Sequence, residues 1–251
     1  MEITLSPSPN FDERKHAVDM LVLHYTGMVT GQAAFDQLRN PEAKVSSHYL
    51  LWEDGRVDQM VPEDRRAWHA GVSSWQGDED LNSRSIGIEI VNGGHDFPQP
   101  GGGLPPYPTA QIDALIELCH RILAGHDIPQ TRIVGHSDIA PSRKQDPGEH
   151  FPWEQLARAG IGIWADIEDL EAPTARAEGL SPGDESASVR RMQDHLQRIG
   201  YGLPPSGTYD DLTEAVVRAF QRRWLPDRVT GTADLQTLRQ ISVIHALYSA
   251  G

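Results

Sequence analysis

Met20-Leu21-Val22-Leu23-His24 is the stretch from which the fold is read. Consecutive apolar residues leave neither face of a strand for solvent, the pattern of a strand buried on both sides. A histidine closes the run. Arg132-Ile133-Val134-Gly135 is a second short strand closed by a histidine, His136. Ser85-Ile86-Gly87-Ile88-Glu89-Ile90-Val91 is another, interrupted by a single carboxylate. Ser47 to Trp52 and Arg56 to Met60 flank Glu53-Asp54-Gly55, a hairpin signal. Thr109, after Pro108, is a candidate N-cap for a helix whose apolar face carries Ile112, Leu115, Ile116, Cys119, Ile122 and Leu123. From Gly93 to Pro108 the density of Gly and Pro predicts a long surface loop. Strands alternating with helices predict an α/β fold with a mixed central sheet flanked by helices.

The chain then changes character. Glu168 to Ser188 is rich in small, polar, Pro and Gly residues without an apolar period, which is linker composition. The expected organisation is a front domain over 1–172, a linker over 173–188 and a small three-helix all-α domain over 189–251. Within the tail, Gly207-Thr208, Asp210 and Thr213 recur 24 residues later as Gly231-Thr232, Asp234 and Thr237. Each copy reads as a turn and a helix start, with Asp210 and Asp234 as candidate N-caps. Val189, Met192, Leu196 and Ile199 give the preceding helix its apolar face.

The 251 residues are 38% apolar and 23% charged, an ordinary globular composition. The net charge of -14 argues against nucleic acid and anionic membranes as partners. All of it falls in residues 1–172, which hold 13 Lys+Arg against 27 Asp+Glu; the remainder is balanced at 9 and 9. Cys119 is the only cysteine, which excludes an intrachain disulfide framework and a Cys-based zinc finger. No apolar stretch approaches the roughly 18 residues of a membrane span. The N-terminus lacks a signal-peptide pattern, so the expected compartment is the cytoplasm, with periplasm or cell envelope as the alternative had a leader been removed.

Eight of eleven histidines lie at or before His136. His24 and His136 sit at the carboxyl ends of strands, where open α/β sheets gather ligands. Two imidazoles delivered there can meet; the plainer alternative is that both are polar boundary residues. A zinc site with one open position for water needs a third ligand. Asp146 is the best candidate, since Pro147 biases it toward extended backbone. In an extended segment Lys144 and Asp146 point into one space and Gln145 points away. Glu89, if buried among its apolar neighbours, acquires the raised pKa that a general base needs.

Five separated motifs resemble one family. They are Leu23-His24-Tyr25-Thr26, Ser46-Ser47-His48-Tyr49, Ala67-Trp68-His69-Ala70-Gly71, Ser85-Ile86-Gly87-Ile88-Glu89 and the run from Gly135 to Gly148, GHSDIAPSRKQDPG. In this order they resemble the zinc-dependent N-acetylmuramoyl-L-alanine amidases of the type 2 class, relatives of peptidoglycan-recognition proteins, over roughly residues 18 to 165. The resemblance implies one Zn²⁺ per chain, held by His24, His136 and Asp146, with Glu89 and Lys144 as the catalytic pair. It implies hydrolysis of the amide between N-acetylmuramic acid, or its 1,6-anhydro form, and L-alanine of the stem peptide, in bacterial wall turnover or recycling. The tail resembles the three-helix peptidoglycan-binding domain of wall hydrolases, although Tyr209 is followed by Asp210 where that family's turn has glycine.

Peptidoglycan or muropeptide fragments are therefore the expected partners. Tyr25, Tyr49, Trp68 and Trp75 are candidates for stacking on sugars. His48 and His69 are candidates for substrate contact or ligand support. Asn82, Arg84 and Arg143 are candidates for binding stem-peptide carboxylates. A non-catalytic muropeptide-recognition protein is the main alternative, disfavoured because all three candidate ligands are present. A zinc endopeptidase of the H-E-x-x-H class and a G-x-S-x-G serine hydrolase are disfavoured because neither motif occurs.

Overall fold

The computed structural model describes residues 2–165 and 179–250; residues 166–178, which include the first part of the expected linker, lie outside that range. In chain order the strands are β1 (Ile3–Leu5), β2 (Phe11–Glu13), β3 (Met20–Tyr25), β4 (Tyr49–Leu51), β5 (Val57–Gln59), β6 (Arg65–Ala67), β7 (Ser85–Ile90) and β8 (Ile133–Gly135). The helices are α1 (Gly31–Arg39), α2 (Leu81–Arg84), α3 (Thr109–Gly125), α4 (His136–Ile139), α5 (Trp153–Arg158), α6 (Ala187–Ile199), α7 (Asp211–Trp224) and α8 (Leu235–Ala250).

Among the described residues, six strands form one sheet in the order β1-β5-β4-β7-β3-β8. The sheet is mixed. β3 runs parallel to both β7 and β8, while β4 and β5 form the antiparallel hairpin expected around Glu53-Asp54-Gly55. β2 and β6 pair apart from it. The loop over 93–108 contains no helix or strand.

Both faces of β3 are covered, as its unbroken apolar run requires. Leu21 and Leu23 join a cluster with Ile86, Ile88 and the α3 residues Ile112, Leu115 and Cys119. Met20 and Val22, on the opposite face by the two-residue period of a strand, join a different cluster. That second cluster continues through Trp75, Leu81 and Ile139 into Leu196, Tyr201, Phe220 and Trp224. The C-terminal helices thus share a core with the back of the sheet.

Two local expectations shift. α3 starts at Thr109, but the N-cap is Pro108, whose carbonyl accepts the N–H of Ile112 at 3.1 Å. A proline in extended conformation offers that carbonyl without giving up a donor. α1 has no counterpart in the sequence reading, because only Gly31, Ala34 and Leu38 of its nine residues are buried, too short an apolar face to stand out.

The tail repeat is a repeated hydrogen-bonding device. Asp210 caps α7 by accepting the N–H of Thr213, and Asp234 accepts that of Thr237. Gly207 and Gly231 both take positive φ, 93° and 78°, which favours glycine. Their N–H groups donate to buried glutamines, Gln193 and Gln221, each at 2.8 Å. Those glutamines return donors to the carbonyls of Thr208 and Thr232, each at 2.8 Å. Leu180 exchanges backbone hydrogen bonds with Ala233, and Ser186 caps α6. No helix among the described residues is long and apolar enough to cross a membrane.

Gln221→Ala strands buried backbone groups of the second repeat. It should destabilise the chain by about 1–3 kcal/mol, read as a lower midpoint in urea denaturation followed by circular dichroism.

Candidate functional site

Parallel pairing assembles the site. Register sets His24 beside Glu89 and Leu23 beside Gly135. His24, Glu89 and His136 therefore emerge together at the carboxyl edge of the sheet, where open α/β sheets bind ligands. Asp146 returns to this edge on the turn after α4, its carbonyl accepting the N–H of Ser137 at 2.9 Å.

Three donor atoms meet there in a buried triangle. His24 Nδ1 lies 3.0 Å from His136 Nδ1 and 3.1 Å from Asp146 Oδ2, and His136 Nδ1 lies 3.0 Å from the same oxygen. The surrounding network assigns the ring protons. The Ser85 hydroxyl donates to the carbonyl of Leu81 at 2.6 Å, so its oxygen accepts His69 Nε2–H at 3.2 Å. His69 Nδ1 then accepts His24 Nε2–H at 3.0 Å. His136 Nε2–H donates to the carbonyl of Ala70 at 3.1 Å. Both Nδ1 atoms are left as lone pairs aimed at a carboxylate oxygen. A proton can serve one edge of such a triangle; a cation serves all three. The edges approach the ~3.3 Å separation of donors around a tetrahedral ion with bonds of about 2.0–2.1 Å. Two imidazoles and one carboxylate also match the donor set of a site with one position left open.

Electrostatics supports this state. Burial, with the neighbouring His136, lowers the pKa of His24 to about 4. Asp146 feels burial in the opposite sense, but the two imidazoles outweigh it and hold the carboxylate below its usual range. Glu89 behaves differently. Burial first, and then the negative charge of Asp146, push it well above the usual glutamate value, with Lys144 opposing. Its Oε2 is buried without a hydrogen-bond partner. His136, Asp146 and Glu89 line a cleft of about 310 Å³ that Tyr25, Trp68, Arg143 and Lys144 also border.

Residues 14–149 match the family model described as N-acetylmuramoyl-L-alanine amidase, and residues 185–241 match a putative peptidoglycan binding domain. The chain is 38% identical over 229 residues to N-acetylmuramoyl-L-alanine amidase AmiD of Escherichia coli, covering 88% of this chain and 79% of that protein. It is 37% identical over 168 residues to 1,6-anhydro-N-acetylmuramyl-L-alanine amidase AmpD of Haemophilus influenzae, covering 59% of this chain and 86% of that one. The solved complex of E. coli AmiD with anhydro-N-acetylmuramic acid-L-Ala-D-gamma-Glu-L-Lys superposes with a TM-score of 0.79 at 35% identity, covering 93% of this chain and 91% of that chain.

The chain belongs to the N-acetylmuramoyl-L-alanine amidase family.

Of the other residues expected at the site of this amidase, some reach the cleft and some do not. Tyr25 does, with its hydroxyl 3.0 Å from His95 Nδ1. Arg143 does, braced on the carbonyl of Ala70. Trp75 does not: it is buried against Tyr201, with its Nε1–H on the carbonyl of Thr131. Arg84 is held away by Asp19 and Asp78. Tyr49 is buried with its hydroxyl on Glu63. His48 is buried and accepts the N–H of Gly87 through Nδ1 at 2.9 Å. Asn82 is buried too, accepting the N–H groups of His69 and Ala70. Asn82 and His48 thus brace the backbone around the site rather than a stem peptide. Gln145 also borders the cleft, with its Oε1 accepting from Arg222 Nη2 at 3.4 Å.

Ser85 and Gly87 do site work that the sequence reading did not assign. A Cβ on Gly87 would lie 2.5 Å from the His69 ring, so the glycine makes room for the imidazole that orients His24. A glycine inside a strand is the signal of such an approach. Gly87→Ala should destabilise the amidase by about 1–3 kcal/mol, and should shift the imidazole resonances of His69 and His24 in NMR spectra.

Proposed function

We propose that this amidase holds one Zn²⁺ through His24, His136 and Asp146, and uses Glu89 and Lys144 to hydrolyse the amide between an N-acetylmuramyl group and L-alanine in peptidoglycan recycling. The observation that carries the reading is the buried triangle of two imidazole lone pairs and a carboxylate oxygen, edges 3.0–3.1 Å, with Glu89 beside it.

When bound, zinc lowers the pKa of water toward about 7 and polarises a carbonyl. The remaining work belongs to the chain. Glu89 takes a proton from the attacking water and delivers it to the nitrogen of L-alanine as the amide breaks. Its raised proton affinity suits it to both halves of that transfer. Lys144 places an ammonium where negative charge develops on the amide oxygen. Tyr25, Trp68 and Arg143 at the cleft border provide aromatic faces for a sugar and a cation for stem-peptide carboxylates. The AmiD complex contains an anhydro-muropeptide. We extend that substrate class to this chain, together with a division of labour between residues 1–172, which carry the chemistry, and 189–251, which assist wall or muropeptide binding.

Elemental analysis should find one zinc per chain, and His24→Ala and Asp146→Ala should lose it. Mass analysis of products from defined anhydro-muropeptides should show free stem peptide, and chelator should abolish its release. Intact muropeptide with a metal-loaded chain would refute the hydrolytic reading.

Glu89→Gln should cut turnover by about 10²–10⁴-fold and Lys144→Ala by about 10²–10³-fold, each with zinc retained. The pH profile has a definite sign. Glu89 serves as base only when ionised, and its proton is held above the usual glutamate range. Turnover should therefore rise with pH along a limb displaced upward from that range, and Glu89→Gln should flatten the limb.

A further inference from the structure

Asp138 lies two residues beyond His136 on α4 and is 1% exposed. Its Oδ2 accepts the N–H of Gly135 and Arg223 Nη1–H, each at 2.8 Å, and its Oδ1 accepts the Tyr201 hydroxyl at 2.9 Å. Arg223, on α7, is itself buried and spends Nη2 on the carbonyl of Ile133 at 3.1 Å. Its guanidinium stacks 4.2 Å from the Trp153 ring centre and 4.7 Å from that of Trp224. Tyr201, just after α6, packs against Trp75 at 5.1 Å between ring centroids. A carboxylate so deeply buried is tolerated only when its charge and lone pairs are met, and two of its three partners come from the C-terminal segment.

What Asp138 anchors is the platform of the metal triangle. The turn it caps carries His136 at its first position and ties Asp146 through the Ser137 N–H. The same turn receives the N–H of Lys144 on the Ala140 carbonyl at 3.0 Å. Arg223 additionally grips β8 immediately before His136.

We propose that the C-terminal helical segment is a structural part of the metal site, with Arg223 and Tyr201 acting as positioning residues that hold His136 and Asp146 in register through Asp138. This assignment rests on the metal reading above and adds to it a function for the tail that is independent of wall binding. Groups that orient metal ligands typically govern affinity by 10–100-fold.

The test uses the full chain with Zn²⁺ and Co²⁺ as probes. Wild type, Arg223→Met, Arg223→Lys, Tyr201→Phe and the control Gln221→Ala are compared. The readouts are zinc affinity by competition with a chelating indicator, the visible spectrum of the Co²⁺ form, and thermal melting of the metal-free chain. Arg223→Met should weaken zinc about 10-fold or more and alter the Co²⁺ bands. Tyr201→Phe should act in the same direction to a smaller extent, and Arg223→Lys should recover part of the loss. Gln221→Ala should melt earlier yet keep wild-type affinity and spectrum. Wild-type affinity and spectrum in Arg223→Met and Tyr201→Phe would overturn the proposal, as would an equal loss in the control. Should Arg223→Met not fold, Tyr201→Phe, which removes one hydroxyl, decides between the same two outcomes. A wild-type chain that takes up neither ion would overturn the metal reading itself, and this inference with it.

Discussion

Three electron-rich atoms within about hydrogen-bonding distance of one another repel unless something positive lies among them. His24 Nδ1, His136 Nδ1 and Asp146 Oδ2 are held in that arrangement, away from solvent. The fold is organised around sustaining it. β3 and β8 deliver the imidazoles from adjacent parallel strands, and the turn after α4 brings the carboxylate back. The carbonyls of Ala70 and, through Ser85 and His69, of Leu81 take the outer ring protons, so the inner nitrogens keep free lone pairs.

The same arrangement divides the carboxylates by role. Asp146 and Glu89 share a neighbourhood, yet their proton affinities move in opposite directions. Asp146 is matched by two imidazoles and stays ionised. Glu89 faces burial and the charge of Asp146 with only Lys144 to offset them, so it retains a proton more readily. Two carboxylates in one site are thus pushed apart in proton affinity by position alone, the division of character on which the proposed roles rest.

The C-terminal helices enter this picture through the core rather than the cleft. The rear face of β3 and β8 is apolar, and the cluster that covers it runs on into α6 and α7. Arg223 and Tyr201 reach Asp138 from there. A tail whose composition suggests a tethered module is packed against the sheet and shares its core.

The sequence alone made much of this legible, for reasons that lie in local patterning. An uninterrupted apolar run states that a strand is buried on both faces, so β3 was readable from Met20 to Leu23. Histidines at strand ends, a glutamate inside an apolar strand and Asp before Pro singled out four residues, His24, His136, Glu89 and Asp146, that the fold brings together at one edge of the sheet. The repeat of Gly-Thr and Asp announced the turns and caps of the tail. Aromatics and arginines were not resolved in the same way. Trp75, Arg84, Asn82 and His48 carry the same chemistry whether they face a ligand or a neighbour, and only packing assigned them to the interior or to ion pairs. Tyr201 and Arg223 lie 63 and 85 residues from Asp138 and share no sequence period with it. Their meeting depends on how α6 and α7 dock against the sheet, a long-range outcome of apolar burial that no local pattern encodes.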